Sequence, residues 1–81
     1  MKEEVKKRIK LNNGESIKSK GSRTKGFMGE TDIYSYEIVD SNNEVVGTAE
    51  HTHHTAVKGF KVSQSLTQKD NAGNTIVEER W

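Results

Sequence analysis

The chain has 81 residues, 31% of them charged and 30% hydrophobic, with a net charge of +1 and no cysteine. That length allows one small domain, residues 1–81, with a thin core. The composition excludes a disulfide framework and a paired-CxxC zinc fold. No apolar run approaches the ~18 residues of a membrane span, and no signal-peptide core is visible, so a soluble, cytoplasmic protein is expected.

Residues 1–20 fit two patterns. As a helix over residues 2–11, Met1, Val5 and Ile9 recur at i, i+4, i+8, and Glu3–Lys7 and Glu4–Arg8 are favourable i,i+4 pairs. As a hairpin, Val5, Ile9 and Leu11 alternate with Lys6, Arg8 and Lys10. The chain then turns at Asn12-Asn13-Gly14-Glu15 and returns through Ser16, Ile17 and Lys18. Leu11, two residues after Ile9, tips the reading to the hairpin. An isolated helix of about ten residues is also marginal without packing.

The run GSRTKGFMG, residues 21–29, is rich in glycine, serine and threonine, and residues 18–30 read as a basic loop. Phe27 and Met28 are expected to anchor it to the core.

Residues 31–55 read as a long β-hairpin. Tyr34, Tyr36 and Ile38 alternate with Ser35 and Glu37, the period of a half-buried strand. Asp40-Ser41-Asn42-Asn43 turns the chain, with Asn43 able to take a left-handed conformation. Pairing Ile38 with Val45 puts Tyr36 opposite Gly47, Tyr34 opposite Ala49 and Asp32 opposite His51. The alternative, Val39 opposite Val45, would divide the apolar residues between faces, so the first register is preferred.

Residues 56–59 connect to a second hairpin. Phe60, Val62 and Leu66 lie on one strand, Asp70-Asn71-Ala72-Gly73 makes the turn, and Ile76, Val77 and Trp81 follow. Leu66 opposite Val77 and Val62 opposite Trp81 would complete an apolar stripe. The expected core is Tyr36, Ile38, Val45, Val62, Leu66, Val77 and Trp81. The three turns share a composition that reads as convergent turn chemistry, since their flanking strands differ. The fold class expected is all-β: about six antiparallel strands in a meander, as a partly closed barrel or two layers. The alternative is α+β, with the N-terminal helix.

The charge is unevenly spread. Residues 1–26 hold nine Lys/Arg against three Glu, a net of +6, and residues 27–81 hold four against nine, a net of −5. Lys18, Lys20, Arg23 and Lys25 suit a phosphate backbone or another anion, but stacking aromatics are scarce beside them. The plainer alternative is pairing with acidic surface, on this chain or another, or a charged strand edge. His51 and His53 share one strand face, and with Asp32 they form a candidate metal set of three ligands, one short of a structural zinc site. Strand-end histidines hydrogen-bonded to neighbours are the simpler account.

No nucleophile, phosphate loop or metalloprotease pattern is present, and Glu50 and His51 alternate to opposite faces, which separates them as an acid–base pair. The sequence therefore predicts a non-enzymatic binding module without a cofactor. A protein-interaction or regulatory domain is favoured, with a protein partner or a second copy as a homodimer. A nucleic-acid binder using the basic segment is the alternative, and a histidine metal protein ranks last.

Overall fold

The computed structural model describes residues 3–26, 30–56, 59 and 61–81. A short helix, α1 (Glu3–Lys6), precedes five strands: β1 (Ser16–Lys25), β2 (Thr31–Val39), β3 (Val45–Thr55), β4 (Val62–Asp70) and β5 (Thr75–Arg80). The strands form one antiparallel sheet in the order β1-β2-β3-β4-β5, which does not close into a barrel. The all-β meander is as expected, with five strands where about six were predicted.

The missing strand is the N-terminal one. Residues 3–9 coil instead, through Lys7 N–H to Glu3 O at 3.0 Å, Arg8 N–H to Val5 O at 3.1 Å and Ile9 N–H to Lys6 O at 3.2 Å. Coiling puts Val5 and Ile9 together, and both are buried against Ile38, Ala49, Leu66 and Val77. Leu11, which favoured a strand, is 40% exposed. A second correction concerns residues 18–30. Their first part, through Lys25, is strand, not loop. Lys20 is an extra residue between the pairs Ser19↔Tyr36 and Gly21↔Ser35, so the edge carries a bulge. Gly21 takes φ +138° there, a backbone state that costs glycine little. The anchoring expected of Phe27 and Met28 lies outside the described residues, as does Phe60.

Both hairpins use one turn design. Asp40 Oδ1 accepts N–H bonds from Asn42 at 2.8 Å and Glu44 at 3.0 Å. Asp70 Oδ1 accepts from Ala72 at 3.0 Å and Asn74 at 2.9 Å. Three residues past each aspartate the backbone goes left-handed, at Asn43 (φ 62°) and Gly73 (φ 88°). Six residues past it, Val46 and Ile76 are bulged out of the pairing.

Those bulges correct the expected registers. Val39 pairs with Val45 at the tip, and beyond the bulge Ile38 pairs with Gly47, Tyr36 with Ala49, Tyr34 with His51 and Asp32 with His53. In the second hairpin Gln68 pairs with Val77 and Leu66 with Glu79. Beyond each bulge the pairing is displaced by two residues from the expectation, while Val39 opposite Val45, the pairing set aside above, holds only at the tip. An even displacement keeps every side chain on its face, so Ile38, Leu66 and Val77 are buried as expected. Tyr36 and Trp81 are half-buried against them. Val45 and Val62 are exposed: one sits at the turn and the other at the opposite end of the sheet.

Gly47 has a packing reason. A Cβ there would lie 2.7 Å from the Lys69 carbonyl oxygen, so β3 and β4 approach as closely as they do only around glycine. Gln68, buried on the core face, holds the N-terminal segment down. Lys10 N–H donates to its Oε1 at 2.9 Å, and its Nε2 donates to Lys10 O at 2.8 Å. One side chain thus supplies the partners that a neighbouring strand would have given Lys10.

Candidate functional site

Alternation divides the sheet into two chemical surfaces. Ile17, Tyr34, Tyr36, Ile38, Ala49, His51, Leu66, Gln68, Val77 and Trp81 share the face that α1 covers. The middle of the opposite face is polar: Ser35 and Glu37 on β2, Thr48 and Glu50 on β3, Thr67 and Lys69 on β4. No described element packs over it. A shallow trough of about 780 Å³ lies there, with Lys20, Arg23, Ser35, Thr48, Glu50 and Lys69 in its lining. Its only charge pair among the described residues is Arg23 Nη2 to Glu50 Oε2 at 3.8 Å, with both side chains largely exposed.

β1 borders the trough. Every residue of β1 except Ile17 is exposed. Its outer edge meets no other described strand, since β1 ends the sheet. The four basic candidates, Lys18, Lys20, Arg23 and Lys25, all stand on it, and the strand has no carboxylate. Lys18 pairs across with Glu37 and Arg23 with Ile33. The basic group is therefore a row on a strand edge, where the sequence had suggested a loop. Lys69 extends it into the trough, a position only the three-dimensional pairing supplies.

The histidine candidates are placed differently from one another. His51 and His53 share a face, as strand alternation requires, but Asp32 stands opposite His53 instead of His51. His51 is buried. Its ring stacks between Tyr34 (centroids 5.6 Å apart) and Trp81 (5.9 Å), and the Arg8 guanidinium lies 4.1 Å from the Trp81 ring centroid. His51 Nε2–H donates to Gln64 Oε1 at 2.9 Å, so the buried ring is held by a hydrogen bond as well as by the stack. Thr24 Oγ1–H donates to Asp32 Oδ1 at 3.3 Å. Among the described residues no group of three or more His, Cys, Asp or Glu is placed to hold a metal ion. His51 is thus a core residue, and its alternation with Ala49 and Gly47 was the signal for that.

Two ionisable groups are perturbed by this architecture. Tyr36 is pushed above its ordinary value of 10.0, first by burial and then by the neighbouring Tyr34. The Asp70 carboxyl is held below its ordinary value, first by the Asn74 backbone N–H and then by the Asn74 side chain. Both serve the sheet and its turn. Among the described residues no helix is long and apolar enough to cross a membrane. No family model, curated protein or solved structure matches the chain.

Proposed function

We propose that this chain is a protein-binding module whose contact surface is the basic edge β1 together with the polar trough beside it. The partner is an acidic protein surface or segment. The supporting observation is the concentration of Lys18, Lys20, Arg23 and Lys25 on the exposed edge strand of the sheet, a strand that carries no acid of its own. Four fixed cations in a row steer an acidic partner and set its register more than they add affinity.

The charge layout favours protein over nucleic acid. The basic row is one strand wide, and Glu37 and Glu50 stand behind it on β2 and β3. A phosphate backbone lying across the face would meet those carboxylates. The tyrosines, the side chains suited to stacking on bases, belong to the other face. A second copy is also a poor match for β1, because antiparallel β1–β1 pairing sets basic residues against basic residues.

Titration of isotope-labelled protein with polyglutamate, and with a single-stranded oligonucleotide of equal charge, separates these readings by NMR. The expected result is that polyglutamate shifts β1 and trough resonances at physiological salt while the oligonucleotide does so more weakly. Tighter binding of the oligonucleotide, with affinity falling steeply with salt, would replace the protein reading with a nucleic-acid one.

A further inference from the structure

The geometry points to a specific mode for that contact: we infer that β1 accepts an extended segment of the partner as a sixth strand. The inference rests on the acidic-partner reading and adds how the partner binds and what its sequence looks like. The edge is built for pairing from Gly21 onward. Past the bulge at Lys20 the register with β2 runs without interruption, Gly21↔Ser35 through Lys25↔Thr31. An antiparallel strand paired on one side leaves alternate N–H and C=O groups aimed outward, and a sixth strand satisfies them.

The two faces of that stretch dictate the ligand. Arg23 and Lys25 project on the trough side, so the incoming strand needs carboxylates at two positions spaced by two residues. Ser22 and Thr24 project on the other side. They are small, and Ser22 lies beside Tyr34 in the pairing. An apolar side chain opposite Ser22, one position outside the carboxylate that meets Arg23, would reach over that small residue towards the half-buried ring. The segment expected is therefore an extended run that alternates acidic and apolar residues, with carboxylates opposite Arg23 and Lys25 and an apolar side chain opposite Ser22. Lys18 lies just before the bulge and Lys20 in it, and both attract the segment's flanking acids. The same lysines keep two copies of β1 from pairing with each other, so the edge is closed to self and open to an acidic strand.

The probe is a synthetic peptide of about ten residues alternating glutamate with valine, and its twin with alternate backbone amides N-methylated. The twin keeps every charge and loses the hydrogen bonds along one side. Binding is read by fluorescence anisotropy, and amide hydrogen exchange locates it. Strand addition predicts that the unmethylated peptide slows exchange in β1 and leaves β5 unchanged. It also predicts that the twin binds at least about tenfold more weakly, the loss expected when several backbone bonds cannot form. Equal binding of the two peptides without protection of β1 would overturn strand addition and leave the acidic-partner reading standing. No binding by either, under conditions where the fold is intact by Trp81 fluorescence, would overturn both.

Discussion

Gly47 and Asp70 show how single residues fix this sheet. At Gly47 the constraint is space: a methyl group meets the Lys69 carbonyl at 2.7 Å. Gly47→Ala must push β3 from β4 and is expected to cost about 1–3 kcal/mol by urea unfolding, despite the better strand propensity of alanine. At Asp70 the constraint is charge. Its folded value lies below the ordinary 3.8 because the carboxylate accepts the turn's N–H groups. A depressed carboxyl stabilises the fold fully above its unfolded value, and that contribution is lost as pH falls through the folded value. Asp70→Ala should lower the melting temperature at neutral pH. The gap between variant and parent should then narrow in acid, as melts stepped from about pH 6 to about pH 2 would record.

Among the elements, the N-terminal segment is the least self-sufficient. A helix as short as α1 has no stability of its own. It is held by Val5 and Ile9 in the core, by Arg8 over Trp81, and by the two bonds between Gln68 and Lys10. Gln68→Leu keeps most of the volume but orphans both Lys10 groups. The expected loss is about 1–3 kcal/mol, with faster amide exchange confined to residues before Ser16. This element was also the least legible in the sequence. Val5 and Ile9 suit both a helix and a strand, and the tie was broken by Leu11, an exposed residue with no bearing on the core. The hairpins were legible in which residues share a face, because alternation survives an even shift. Their registers were not, because Val46 and Ile76 are bulges, and an apolar residue in a bulge looks like one more strand position. Residues 18–25 read as loop for a related reason: an edge strand needs no apolar side, so its composition resembles a loop's.

The whole molecule is elongated, 45 × 23 × 20 Å, as a sheet of long strands covered chiefly by one short segment should be. Its candidate surface was half legible. The four basic residues stood out by charge, whereas Lys69, the trough and the place of β1 at the end of the sheet exist only once the strands are paired. The histidines stood out by composition, yet His51 belongs to the core stack. The central claim is that Arg23 and Lys25, on the edge strand β1, recognise carboxylates of an extended partner. A charge-swap cycle tests it directly. The parent and the R23E/K25E variant are each titrated with the alternating glutamate–valine peptide and with its lysine–valine counterpart, and K7E serves as a control for net charge. The account predicts that the variant loses the acidic peptide, gains the basic one, and that K7E changes neither by more than a small factor. A variant that still binds the acidic peptide as the parent does, or a K7E protein that loses it equally, would contradict recognition at β1.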